Sequence, residues 1–262
     1  MPFYQPESVR YFKFESLSEA GVTHAVFTRR GGISPHPWES LNVGALVGDD
    51  PARVIENRQR SFRTVGRMPE TMYDVWQVHG NEVVCTDAPR PANLPHLKAD
   101  AILTDQPGVT LFMRFADCVP VLLSDPKRRI VGLAHAGWLG TVRRTVAAAV
   151  AAMVETYHSI PADIIACIGP SIGAHHYQVG PDVADQVSET FGADAQSLLV
   201  ASNSDEHRVQ FDLWAANRLI LEQSGVKQIE MAGLCTACHL DDWYSHRAEA
   251  GQTGRFGVLI GL

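Results

Sequence analysis

No apolar run among the 262 residues approaches the ~20 needed to cross a bilayer. The first residues, MPFYQPESVRYFKFESL, lack the basic start and apolar stretch of a secretory leader, so a cytoplasmic protein with no membrane partner is expected. Positive charge is also scarce: 22 Lys and Arg stand against 29 Asp and Glu, a formal net charge of −7. A nucleic-acid binder needs excess Lys and Arg to meet phosphates, so that class is set aside; a small phosphate-bearing substrate in a local basic pocket is not. The cysteines are few and odd in number. Cys85, Cys118, Cys167, Cys235 and Cys238 are scattered over a long chain, which is no disulfide framework, so each is a buried thiol, a metal ligand or a nucleophile. There is no H-x-H pair, no repeat, no low-complexity tract and no dividing linker. With 45% hydrophobic and 19% charged residues the chain is too apolar for disorder, and one domain over residues 1–262 is expected.

What is present alternates between short strands and a few helices. THAVFT (23–28) reads as a strand running into the Gly31-Gly32 turn, followed by a long polar, Pro-rich loop of the length that usually serves function. Asp49 or Asp50 then caps a helix that starts at Pro51 and continues through PARVIENRQRSFRTVG. YDVWQVH, EVVCT, DAILTD, VTLFMRFA, VPVLLSD and IVGLAHAG are β-branched or aromatic runs separated by turns too short for crossover helices. Residues 140–157 read as one helix, DIIACIGP as a buried strand, FDLWAANRLILEQSG as an amphipathic helix ended by Gly225, and the tail as a closing strand. The fold class expected is α/β (α+β): one layered domain of mixed, largely antiparallel sheets flanked by helices.

Three runs end in a soft or borderline metal ligand: VWQVHG (His79), RFADCVPVLL (Cys118) and GLAHAGW (His135). One thiolate and two imidazoles make a three-ligand zinc site with a fourth position open. Their wide separation is unlike a zinc finger, so only tertiary structure could gather them. Two other readings stay open on these residues: Cys118 as a core thiol with a hydrogen-bonded His135, and Cys118 as a nucleophile activated by either histidine. Asp117 points away from Cys118 if the run is a strand, and orients a neighbour. His175 and His176 sit in a loop that either borders a pocket or is simply exposed. Trp138 stacks on a base or packs, and Gly137 and Gly140 permit close backbone approach near a helix start, where an anion could sit.

The wording of the segments says more. TRRGGIS, SLNVG, GDDPARVIENR, QVHG, ADAILTDQPGVTL, ADCVPVLLSD, GLAHAGW, IGPSIG, YQVG and the C-terminal CT and TGR, in this order from about residue 20 onward, resemble the YfiH family. Its members were long called laccase-domain multicopper polyphenol oxidases and are now described as purine nucleoside phosphorylases. The resemblance implies a single YfiH-like domain, a metal site on His79, Cys118 and His135, and zinc as the cofactor, with copper the older claim. It also implies phosphorolysis of adenosine, inosine and S-methyl-5′-thioadenosine, with deamination of adenosine alongside. Within that reading Arg29 and Arg58 are candidates for phosphate, because guanidinium matches phosphate oxygens, and Asn42 for the sugar or base. The other reading of each is a loop brace or surface ion pair. The chain departs from the family at Leu139, where HAGW is usually followed by Arg; Arg143 or Arg144 could stand in. A monomer is expected.

CTACH (235–239) matches the C-x-x-C-H pattern of covalent haem attachment, but that chemistry belongs to exported proteins. Exposed or partly buried thiols are the default there, with a small extra metal site or redox pair the sharper reading. A multicopper oxidase needs clustered H-x-H histidines, which are missing, and the H-x-E…P-C-x-x-C deaminase signature is missing as well. The remaining rivals are a metal-free Cys–His hydrolase or deamidase, a copper-dependent polyphenol oxidase, and a catalytically impaired metal-binding module.

Overall fold

A computed structural model describes residues 3–91, 93–201 and 209–262. The chain starts with β1 (Phe3–Tyr4), β2 (Tyr11–Phe12), α1 (Glu15–Glu19) and β3 (Thr23–Phe27). The long loop that follows is pinned from below by the next helix, α2 (Pro51–Thr64). Asp50 caps that helix by accepting from Ala52 N at 2.7 Å, and Pro51 occupies the first turn, where its missing N–H costs nothing. Asp49 is turned inward, accepting from Ser34 Oγ and Asn42 Nδ2.

Six strands come next: β4 (Met72–Tyr73), β5 (Val83–Cys85), β6 (Ala101–Thr104), β7 (Thr110–Phe115), β8 (Val119–Asp125) and β9 (Ile130–Ala136). The expected single helix over 140–157 is two, α3 (Trp138–Val142) and α4 (Thr145–Tyr157), broken where Arg144 takes a left-handed conformation (φ 58°). The remainder is β10 (Ile165–Ile168), β11 (Gln178–Val179), α5 (Pro181–Phe191), α6 (Ala195–Leu198), β12 (Leu199–Ala201), β13 (Val209–Phe211), α7 (Leu213–Gln223), β14 (Gln228–Met231) and β15 (Phe256–Gly261).

The strands form two six-stranded sheets, ordered β1-β2-β3-β15-β7-β4 and β14-β10-β8-β9-β6-β5, and a small sheet β11-β13-β12. Pairing is antiparallel apart from β4·β7, β5·β6 and β10·β14, so the mixed, largely antiparallel expectation holds. The two large sheets face each other through Val26, Met113 and Val258 on one side and Ile102, Leu122 and Leu133 on the other. Because side chains alternate along a strand, Val119, Val121 and Leu123 of β8 point the other way, onto α4 and α7 (Val146, Met153, Ile220). Phe62 of α2, with Leu41 and Val43 of the long loop, covers the outer face of the first sheet. β8 and β9 are thus apolar on both faces, each large side chain contributing about 1.5–3 kcal/mol of burial, which explains their unbroken hydrophobic wording.

Strand register then decides where the chemistry gathers. Val119 pairs with Ala136 and Pro120 with His135, while Ala101 pairs with Ala134. Cys118 just before β8, His135 near the end of β9 and Asp100 just before β6 therefore meet at one end of the second sheet. No helix among the described residues is long and apolar enough to cross a membrane.

Candidate metal centre

His79 does not end a strand, as its apolar run suggested. Beyond Tyr73 the segment leaves the sheet, keeping only a single bridge from Trp76 to Lys98, and Asp74 becomes a buried hub for Arg90, His96 and Arg114. Gln77 continues the anchoring by accepting from Arg114 N and donating to Arg114 O. His79 follows in a left-handed turn (φ 58°) that projects the ring into the space beyond β8 and β9.

One carboxylate organises the turn. Asp100, fully buried, accepts Val78 N at 3.1 Å and Gly80 N at 2.6 Å on Oδ2, and His79 N at 3.0 Å on Oδ1. The same Oδ1 takes His135 Nδ1 at 2.8 Å, which fixes that ring and leaves its Nε2 for the site. Burial alone would raise the Asp100 carboxyl, but the hydrogen bond and charge of His135, together with the Gly80 and Val78 amides, hold it below the usual range.

The ligand atoms of His79, Cys118 and His135 all lie within 4.8 Å of one another, with Cys118 Sγ 3.8 Å from His79 Nε2. The His79 and His135 rings meet edge to face at 4.9 Å, and Phe115 packs on His135 at 5.3 Å. Exposure grades from open at His79, through half-buried Cys118, to buried His135. Burial raises the Cys118 thiol, but the His135 charge and hydrogen bonds from His135 and His79 bring it down to about 6. His135 moves the opposite way. Burial lowers it, and the Cys118 charge with the Asp100 hydrogen bond lifts it to about 9. Gly137 closes the back of the cluster. A Cβ there would sit 2.8 Å from Cys118 Sγ and 3.1 Å from His79 Cδ2, so the backbone approaches because the side chain is missing.

The surroundings sort the other expected residues. Asp117 lies in a left-handed bend (φ 81°) before β8 and not in a strand, and accepts Thr236 Oγ1 at 2.7 Å and Arg247 N at 2.6 Å, holding loops beside Cys118. Trp138 is half-buried and packs against the core beneath. Of the two arginines after Leu139, Arg143 reaches the site and donates to His79 O at 3.2 Å, whereas Arg144 turns away to Gln223. Arg29 is tied into loops, donating to Glu39 O, Leu240 O and Glu249 and lying 4.5 Å over the Tyr244 ring. Asn42 is fully buried, donating to Gly44 O and Asp49 and accepting Gly44 N and Arg255 N. Arg58 donates twice to Val43 O; burial and the Arg114 charge push it down to about 10. His175 and His176 gather with Cys235 and Cys238 instead of with the triad.

Three residues beside the site escaped the sequence reading. Asp100 lay unremarked inside DAILTD. Arg255, from TGR just before β15, is half-buried, which lowers it, while the charges of Cys118 and Asp117 pull it back up; its guanidinium donates to Thr253 O and Gly254 O. Tyr177 is raised by burial and by the Cys118 charge, and Arg247 stacks 4.8 Å over its ring. TGR was part of the quoted family wording, and its arginine was the available signal.

Residues 23–262 match the family model described as multi-copper polyphenol oxidoreductase laccase. The chain belongs to this family. A Deinococcus radiodurans relative named purine nucleoside phosphorylase is 41% identical, covering 92% of this chain and 89% of its own. The purine nucleoside phosphorylase YlmD of Bacillus subtilis is 39% identical over 90% of this chain and 86% of its own. Among solved structures of the laccase-domain family, the Bacillus licheniformis hypothetical protein YfiH superposes with a TM-score of 0.91 at 33% identity. That match covers 100% of this chain and 99% of the other.

Proposed function

We propose that this chain is a zinc-dependent purine nucleoside phosphorylase whose metal ligands are His79, Cys118 and His135. Its proposed substrates are adenosine, inosine and S-methyl-5′-thioadenosine. The observation that carries the reading is the convergence of three ligand atoms within 4.8 Å, in a chain whose relatives over nine-tenths of its length are named purine nucleoside phosphorylases. The donor set fits zinc: two imidazoles and a thiolate, a carboxylate behind His135, and a glycine where any Cβ would intrude. Copper binds the same atoms, and metal analysis of the purified protein separates the two. Zinc held by these three residues would supply Lewis acidity.

The chain's own residues bind and orient. In phosphorolysis the bond from purine nitrogen to C1′ breaks, a phosphate oxygen bonds to C1′, and the base leaves with the electron pair and gains a proton. Asp100 keeps the proton of His135 on Nδ1, so Nε2 stays free to ligate. Arg255, just before β15 and within reach of the Cys118 and Asp117 charges, is the group proposed for the substrate anion, and Arg143 serves at the rim in place of the family's usual arginine at Leu139. Arg29, Asn42 and Arg58 are proposed to hold the pocket loops, because the contacts of each run to backbone and buried side chains of the long loop. Deamination of adenosine, with water adding at C6 and ammonia leaving, is proposed as a side reaction. Residues 1–262 act as one domain, a cytoplasmic monomer working on small molecules.

A metal-free reading uses the same atoms, with a Cys118 thiolate and a His135 imidazolium in a hydrolase or deamidase. In that reading His79 only supports the Cys118 thiolate by its hydrogen bond, whereas in the zinc reading it is a ligand. Products of adenosine incubated with and without phosphate, on protein of measured zinc content, test the proposal. Phosphate-dependent adenine is expected; zinc-loaded protein that releases none overturns it. Cys118→Ser loses zinc and turnover together if zinc is the cofactor, and turnover alone if the thiol is the nucleophile.

A further inference from the structure

A second cluster shares no residue with the triad. Ser171 bridges Cys235, with Ser171 N donating to Leu234 O and Thr236 N to Ser171 O, so the 171–176 and 234–238 segments run clamped together. The clamp carries a short turn, residues 174–176, that presents His175 and His176 to the cysteines of CTAC. The ligand atoms of His175, His176, Cys235 and Cys238 all lie within 4.8 Å of one another. His175 Nε2 is 3.1 Å from Cys238 Sγ, and the two imidazole rings are 4.8 Å apart.

We infer that these four residues form a structural zinc site, separate from the His79 centre. A tetrahedral ion at 2.3 Å from sulfur and 2.0–2.1 Å from nitrogen would set neighbouring ligand atoms about 3.3–3.8 Å apart. Side-chain shifts of about 1 Å reach that geometry from the distances observed. The C-x-x-C spacing is that of a zinc knuckle. Gly173 N donates to Cys235 Sγ at 3.2 Å, the kind of bond that supports a thiolate. A Cβ on Gly173 would lie 2.7 Å from His175 Cε1 and 3.4 Å from Cys235 Cβ, so the backbone is drawn in against two ligands at once. A disulfide between Cys235 and Cys238 would need neither histidine, and both histidines converge on the sulfurs. Binding breaks two S–H bonds and forms two Zn–S and two Zn–N bonds, the two protons passing to solvent. The charges of Zn²⁺ and two thiolates cancel, so the site adds no net charge.

The position gives the ion a purpose. Thr236, inside the clamp, donates to Asp117, and Ile172 N donates to Asp117 O, so the knuckle braces the residue that precedes Cys118. Arg247 N also donates to Asp117, and Arg247 Nη1 donates to Gln178 O just beyond the histidines. A metal here would stiffen one wall of the candidate active site without entering it.

The test is zinc content per chain of the full-length protein purified with reductant. About two zinc are expected in the wild type, about one in Cys238→Ser and about one in Cys118→Ser. Cys238 and His175 are exposed, so Cys238→Ser and His175→Gln remove ligands without emptying the core. X-ray absorption of zinc in Cys118→Ser should show two sulfurs and two nitrogens. The inference is overturned if Cys238→Ser and His175→Gln both keep the wild-type zinc count, or if protein purified with reductant carries a Cys235–Cys238 disulfide. Failure of the His79 reading looks different: Cys118→Ser then leaves the count unchanged, while Cys238→Ser still removes one ion.

Discussion

Replacing Asp100 by asparagine keeps the shape of the side chain and removes one of its two acceptor oxygens. Four donors converge on that carboxylate: Val78 N and Gly80 N on one oxygen, His79 N and His135 Nδ1 on the other. The amide can face only one pair with oxygen. If it keeps Val78 and Gly80, its NH₂ meets His135 Nδ1; the imidazole then accepts there and carries its proton on Nε2, the atom proposed to bind metal. If it keeps His79 and His135, two backbone amides of the turn lose their partner. The first arrangement loses one bond, from His79 N, and the second loses two, at about 1–3 kcal/mol each, so Asp100→Asn should cost about 1–6 kcal/mol of stability. Loss of a carboxylate behind a metal-bound histidine typically weakens metal affinity 10–100-fold. Urea unfolding of the zinc-free protein reads the first effect, and competition for zinc with a chromophoric chelator reads the second. A folded variant with stability and zinc affinity within twofold of wild type would refute the organising role assigned to Asp100.

Gly137→Ala brings a Cβ to 2.8 Å from Cys118 Sγ, so the variant should fold but bind zinc at least tenfold more weakly; unchanged metal content would show that the backbone can retreat. Asn42→Ala leaves Gly44 N and Arg255 N without their acceptor and should destabilise the chain by about 2–4 kcal/mol while raising KM for phosphate, both measurable in one preparation. His24 is buried, accepts Phe14 N on Nε2, and is depressed by burial to about 4 from its ordinary 6.5. The folded state therefore holds His24 neutral where the unfolded state protonates it, and stability is lost as pH falls from 6.5 towards 4. The loss totals about 3 kcal/mol. Denaturation midpoints at pH 7 and pH 4.5 should differ less in His24→Gln than in the wild type, and equal differences would sink the assignment.

Much of the fold was legible because burial and wording agree in it. β8 and β9 are apolar on both faces and read as continuous apolar runs, while α2 carries its own cap and first-turn proline. The failures occur where one tertiary contact overrides a local pattern. YDVWQVH alternates like a strand, yet Asp74 and Gln77 leave the ladder for Arg90 and Arg114, which come from distant segments. GTVRRTVAAAVAAMVETY has helical propensity throughout, but Thr145 Oγ1 donates to Gly80 O and Gly140 O, and the chain turns at Arg144 to allow it. The Gly80 partner lies outside that segment and could not be read from it.

The site divides along the same line. His79, Cys118 and His135 were picked out because cysteine and histidine are chemically distinctive metal ligands. Their place at the ends of apolar runs singled them out, and the family wording then favoured the metal reading over a core or nucleophilic thiol. Asp100 does as much to shape the cluster, yet aspartate is common, and its role comes from where strand pairing puts it. The β6–β9 register sets Ala101 opposite Ala134 and so brings the carboxylate beside His135. Arg29, Asn42 and Arg58 illustrate the converse. Their side-chain chemistry suits phosphate and sugar, and buried polar groups must also be satisfied; the long loop between β3 and α2 supplies Glu39 O to Arg29, Asp49 to Asn42 and Val43 O to Arg58. The knuckle at Cys235 and Cys238 has a recognisable spacing, but a CxxC alone serves haem, redox and zinc alike. What favours zinc is the arrival of His175 and His176 from a loop far upstream, joined by the Ser171 bridge. Residue type thus nominates the chemistry, and backbone pairing across distant segments selects which nominees can act together.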